Sequence, residues 1–310
     1  MAANVESMFY VREVPWHGLG TKVLEAPSSK EALRIAGLDW KVIQQPVYAP
    51  DNELIHGYKV NIRDSDNRHL GIVSDKYKVI QNEEAFAFTD ALLGEGVTYE
   101  TAGSLQNGRK VWMLAKMPHQ FLIGGDIVDP YLVFSNAHDG TGAVKVAVTP
   151  IRVVCNNTLN LALSSAKRSW SMIHTGDISQ KIEEASNTLF KAEKYLNCLA
   201  DEVEELKSFY LLDEEVEDYI SQLLPIGKDA SDIRKRNVLK LRESLRNSYY
   251  CAPDLQGLPN DGYRFINAVS DFATHTKPLR RTTNYRENVF AKTVEGNPLI
   301  DKAYRLLKLA

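Results

Sequence analysis

Basic residues recur along the second half of the chain in the company of aromatic rings. Lys167 and Arg168 stand beside Trp170, and Arg234, Lys235, Arg236, Lys240, Arg242 and Arg246 precede Tyr249 and Tyr250. Lys277, Arg280, Arg281 and Arg286 surround Tyr285, with Tyr263 a little upstream. A protein that holds a single nucleic-acid strand needs cations that follow the phosphates and flat rings on which bases stack. These stretches supply both. Arg152, between a strand and a helix signal, is placed to meet either a ligand or a core carboxylate. A solvated helix face that balances an acidic neighbour accounts for the same cations, and both readings stay open.

The charge distribution sharpens this choice. Net charge is −3 over 310 residues, too acidic for a general nucleic-acid coat. Residues 1–166 carry 15 basic and 18 acidic side chains, 167–227 carry 6 and 13, and 228–310 carry 16 and 9, giving −3, −7 and +7. Such asymmetry marks either a polyanion-binding face or two segments that pack together.

Catalytic sets are thin. Cys155, ahead of the Asn156-Asn157-Thr158 cap, lies where a helix N-terminus would lower a thiol pKa, and His138, His174 or Asn156 would complete a nucleophilic set. A small buried residue at a strand-to-helix junction explains it more simply. His138-Asp139-Gly140-Thr141-Gly142 reads as a turn, because no second histidine stands four residues on. No Walker or dinucleotide-binding glycine pattern occurs, and seven histidines and three cysteines (Cys155, Cys198, Cys251) show no zinc spacing. No catalytic residue, cofactor or metal is therefore expected. An enzyme, if there is one, would be built on His17, His138 and Cys155.

The positioning elements follow from periodicity. A strand over Tyr131–Asn136, the polar turn and a second strand over Ala143–Thr149 lead through a proline break to a helix at the Asn156 cap. Upstream, the patterns predict a helix over Ser28–Ala36 and strands over Leu38–Tyr48 and Ile55–Ile62. One or two strands then cover His69–Ile80, and an Asn82-capped helix runs to Leu93. Strands over Val97–Leu105 and Arg109–Met117 are joined at Asn107-Gly108. Met8–Thr21, rich in aromatics and glycine, reads as tied to the sheet. Downstream, Ile182, Ala185, Leu189, Ala192, Leu196, Leu199, Val203 and Leu206 form a heptad seam up to a break at Pro225-Ile226-Gly227. This seam fits an internal helical hairpin or an intermolecular coiled coil. Helices over Ser231–Asn247, Tyr263–His275 and Pro298–Leu309 follow, with a basic extended piece from Lys277 to Arg286. The expected fold is α+β: an antiparallel β-meander with helices on one face, residues 1–167, then a mainly helical region, 168–310. No apolar run approaches the roughly 18 residues that span a membrane, and the expected location is the cytoplasm.

The segments PWHGLGT, SDKYKVIQNEEAF, YETAGSLQNGRKVW and above all TPIRVVCNNTL resemble the phage/plasmid-like protein family of bacteria and their phages, a domain of unknown function. The resemblance covers most of the chain and implies no activity. At the level of fold, the helix, meander and hairpin are similar to the core of single-strand annealing proteins such as RecT and phage lambda beta. That likeness implies a basic groove for single-stranded DNA and assembly into rings or filaments. The expected function is therefore a non-catalytic, oligomeric single-stranded DNA-binding protein supporting annealing or recombination of a mobile element. Its phosphate contacts would be Arg152, Lys167, Arg168, Arg234, Lys235, Arg236, Lys240, Arg242, Arg246, Lys277, Arg280, Arg281 and Arg286, with Trp170 and Tyr249 as stacking rings. The alternative is a host-modulating interaction factor that pairs with a partner protein through its heptad helix.

Overall fold

A computed structural model describes residues 5–11, 21–25, 27–93, 98–117, 119–152, 161, 163, 168–174, 178–276 and 297–309; the side chains at 5, 91–93, 152, 170, 172, 178–190 and 275 lie outside that description. The fold is α+β, with strands concentrated in the first half and helices in the second. The strands are β1 (Val5–Val11), β2 (Thr21–Val23), β3 (Val42–Tyr48), β4 (Leu54–Arg63), β5 (Arg68–Ser74) and β6 (Thr98–Leu105). They continue as β7 (Lys110–Lys116), β8 (Phe121–Ile123), β9 (Asp126–Ala137), β10 (Val144–Arg152) and β11 (Ser169–Met172). The helices are α1 (Ser29–Ile35), α2 (Asn82–Leu93), α3 (Ile178–Ser208), α4 (Asp213–Leu223), α5 (Asp232–Cys251), α6 (Gly262–His275) and α7 (Pro298–Lys308). The helix expected after Asn156 lies outside the described residues.

Two compact units divide the chain. The first comprises Met1–His119, Tyr131–Val148 and Ser169–Ala192; the second comprises Gln120–Pro130, Thr149–Arg168 and Glu193–Ala310. The main sheet runs β11-β10-β9-β7-β6-β1-β2, with β8 paired to β9. The meander β6–β7–β9 is antiparallel throughout, and β1 joins β6 antiparallel but β2 in parallel. Asn107 and Gly108 hold φ of 59° and 86° at the centre of the β6–β7 turn, closed by Arg109 N donating to Gln106 O. This left-handed pair is what an Asn-Gly dipeptide supplies without steric cost. A capping contact of the expected kind starts α1, where Ser28 N donates to Glu31 Oε2 at 3.3 Å.

Strands β3, β4 and β5 form a separate antiparallel sheet, which strand periodicity alone does not distinguish. It is seated against the β9–β10 turn within the first unit. Asn61 Nδ2 donates to His138 O (2.7 Å), Tyr77 Oη donates to Ala137 O (2.8 Å), and Gly71 abuts the Asp139 backbone. In that turn Asp139 Oδ1 accepts from Thr141 N (2.9 Å) and Thr141 Oγ1 (2.7 Å), which is what an Asp-Gly-Thr sequence builds.

In the second unit the heptad seam is an internal one. Leu196, Leu199, Val203 and Leu206 are all fully buried, as is Ala192 at the end of the first unit, and so is Tyr195, whose hydroxyl donates to Leu161 O at 2.8 Å. This part of the seam therefore has no free face for another chain. The alternative that pairs the heptad helix with a partner is corrected to that extent; Ile182, Ala185 and Leu189 lie among the side chains outside the description. The helix stops at Ser208, short of the break expected at Pro225-Ile226-Gly227, and α4 is a separate element.

Candidate nucleic-acid interface

Helix α5 carries the densest group of expected contacts. Ser231 caps it, its Oγ accepting from Arg234 N at 3.4 Å. Every residue from Ser231 to Asn237 is exposed. At 3.6 residues per turn these seven cover all faces of the helix, so its first two turns stand clear of the second unit. Arg234, Lys235, Arg236 and Lys240 are exposed and form no ion pair among the described residues.

Arg242 and Arg246 are committed elsewhere. Arg242 donates through Nε to Leu224 O (2.9 Å) and through Nη2 to Ser221 O (3.2 Å), satisfying carbonyls that the end of α4 leaves open. Arg246 holds Glu217 in a two-pronged pair at 2.6 and 2.5 Å and also reaches Glu243 at 2.6 Å. That contact keeps the Glu217 carboxyl below its ordinary range. These two cations balance acidic α4, as the packing explanation of the charge asymmetry requires; the four nearer the start of α5 do not.

Other expected contacts fall away. Tyr249 is fully buried, edge-on to Tyr250 (centroids 4.9 Å apart) and beneath the Arg264 guanidinium at 4.9 Å. No base can stack on it, and that expectation is corrected. Tyr250 donates to Asp213 Oδ1 (3.0 Å) and Tyr263 is buried with its hydroxyl on Asp126 Oδ2 (2.8 Å). Arg168 is only 8% exposed, and burial pulls its pKa down while Asp301 and Tyr195 act on its charge. It does not face solvent as a phosphate contact must. Arg152 ends β10 and Trp170 lies in β11 across from Val146, and both side chains lie outside the description. Lys167, Lys277, Arg280, Arg281 and Arg286 lie outside the described residues. Thr276, immediately before Lys277, sits with its Oγ1 3.3 Å from Ser244 Oγ, one turn of α5 beyond Lys240.

A rival site would centre on His138. It is fully buried; its Nε2–H donates to Asn82 Oδ1 (3.0 Å), whose Nδ2 donates to Leu38 O (2.9 Å). Nδ1 has no hydrogen-bond partner among the described residues. Trp40 meets the ring edge-on at 5.4 Å. Burial, reinforced by the neighbouring His174, pushes the imidazole pKa down to about 3. This is a neutral core histidine without access to substrate. Cys155, Trp16 and His17 lie outside the described residues. A surface cleft of about 510 Å³ in the first unit is lined by Glu6, Asp39, Trp40, Arg63 and Asp64. Its Arg63 guanidinium spends four of its five N–H donors on Glu6 (2.7 Å twice) and Asp66 (2.8 and 2.6 Å), and these two carboxylates offset the charge that would draw an anion. Among the described residues no group of three or more His, Cys, Asp or Glu is arranged to hold a metal.

The buried histidine has a measurable consequence. Above pH 6.5 the imidazole is neutral in folded and unfolded chains alike. Below it, the unfolded chain takes up a proton that the folded chain refuses until about pH 3, so stability falls with pH across that window. The slope is about 1.4 kcal/mol per pH unit, or roughly 2–3 kcal/mol between pH 6.5 and 4.5. Urea unfolding of the unaltered and His138→Gln chains checks this: the variant should show a flatter acid limb, and equal slopes would remove His138 as its source.

A family model described as a domain of unknown function, DUF932, matches residues 69–293. No curated protein and no solved structure matches the chain. The likeness to RecT and phage lambda beta thus gains no support. No described helix is long and apolar enough to cross a membrane.

Proposed function

The chain belongs to the DUF932 family, whose description assigns no activity, and from its own residues we propose that it binds single-stranded DNA without catalysis, supporting strand annealing or recombination of a phage or plasmid. The observation that carries this reading is the exposed start of α5. Four cations within seven residues face solvent there, unpaired among the described residues, on a helix end that no described residue covers. Contact is led by phosphates, since Tyr249 cannot stack, and the basic stretch beginning at Lys277 continues from a residue anchored on the same helix. Release of condensed counterions then drives binding, which makes it steeply salt-dependent.

The test is anisotropy of labelled single- and double-stranded oligonucleotides across a salt series, with Arg234, Lys235 and Arg236 changed together to Ala. Each lost phosphate contact removes about 0.7 from the slope of log K against log salt for a single strand. The triple change should therefore lower the slope by about 2 and weaken binding at least about tenfold near 0.1 M salt. No binding at low salt would end the proposal; tighter binding to duplex throughout would redirect it to double-stranded DNA.

A further inference from the structure

We propose that a second copy of this chain docks on the basic end of α5 through the acidic start of its own α4, so that self-association and nucleic acid compete for the same cations. This deepens the reading above by giving the site a regulator. Helices α4 and α5 run antiparallel, as their contacts show in order: Arg242 meets Leu224, Arg246 meets Glu217 and Tyr250 meets Asp213. The pair therefore has two poles. The 17 rises from Ile233 to Tyr250 place them about 26 Å apart at 1.5 Å per residue, too far to meet within one copy.

The poles are complementary in charge and in apolar content. At the basic pole, Arg234, Lys235, Arg236 and Lys240 accompany Ile233 and Leu239, which are 65% and 54% exposed. At the acidic pole, exposed Glu214 and Asp218 accompany Tyr210 and Leu212, 67% and 58% exposed. Asp229 and Asp232 are also exposed at the basic pole, which keeps a positive excess. Large apolar side chains left open beside an excess of one charge fit a partner with the same apolar content and the opposite excess. This chain carries that partner surface on the other end of the same helical pair. The contact joins unlike faces, so each copy added presents a fresh pole for the next.

Sedimentation velocity tests this without DNA. The unaltered chain should self-associate at about 0.05 M salt and fall to monomer near 0.5 M, because exposed charges are screened there. Reversing the basic pole (Arg234→Glu, Lys235→Glu, Arg236→Glu) or the acidic pole (Glu214→Lys, Asp218→Lys) should leave each variant monomeric alone. Mixed, the two should associate again, since each retains the unaltered pole that the other lacks. Unfolded variants could not restore one another. A monomer at all salts, or a mixture that stays monomeric, overturns the docking. Excess oligonucleotide should disperse the unaltered oligomer, and an oligomer that survives saturating oligonucleotide overturns the competition. Failure of the oligonucleotide to bind at all would count against the DNA reading alone.

Discussion

Gly71→Ala is expected to cost at least about 3 kcal/mol, the range of backbone-forcing overpacking, and to melt the first unit at moderate temperature. A Cβ at Gly71 would stand 2.6 Å from Asp139 Cα, 2.7 Å from its carbonyl oxygen and 2.9 Å from its carbonyl carbon. All three are backbone atoms, and the turn that carries them is pinned by Thr141 on one side and by Asn61 on the other. Neither partner can rotate away as a flexible side chain would. Gly227→Ala is the control: no described residue lies within 4 Å of its Cβ position, and the change should stay within about 0.5 kcal/mol. Equal urea midpoints for the two variants would show that the small sheet is not seated on this turn.

Arg264→Ala should have a comparable effect on the second unit, about 3–5 kcal/mol, the cost of breaking a buried charged network. Arg264 is 9% exposed. Its Nε and Nη2 donate to Tyr249 O at 3.1 and 3.0 Å, and Nη1 donates to Leu258 O and Asn260 Oδ1, both at 3.0 Å. Removing the fork leaves the Tyr249 carbonyl buried without its two donors, strips Leu258 O and Asn260 Oδ1 of theirs and uncovers the Tyr249 ring. Arg264→Lys should recover little, because an ammonium cannot reproduce a planar fork to several carbonyls. Thermal unfolding of both variants decides the point; full recovery by lysine would mean that charge alone, and not the hydrogen-bond geometry, is at work.

What the sequence discloses here depends on how local the cause is. Ser28 with Glu31, Asn107-Gly108 and Ser231 announce their caps and turn because each acts within four residues. The buried part of the heptad seam is legible too, since spacing fixes which residues share a face. The separation of α3 from α4 is not. Phe209, Tyr210, Leu211 and Leu212 contain no proline or glycine, and the helix stops because Leu211 N donates to Asn260 O and Gly262 N donates to Phe209 O. For the same reason the six cations of α5 look alike in sequence, although the end of α4 claims Arg242 and Glu217 claims Arg246. Tyr249 and Arg168, credible ligands by type, are core residues through contacts with elements far along the chain.

The interleaving of the two units carries a consequence for synthesis on the ribosome. The first needs Ser169–Ala192 and the second needs Gln120–Pro130 as well as the chain beyond Glu193, so neither can close in order of translation. When Phe209–Leu212 leaves the exit tunnel, the backbone that interrupts the helix there is still about fifty residues from emerging, a long-range pairing that is slow to form. The nascent chain is then free to run α3 straight into α4, and the basic start of α5 emerges before Asn260 and Gly262 can correct that register.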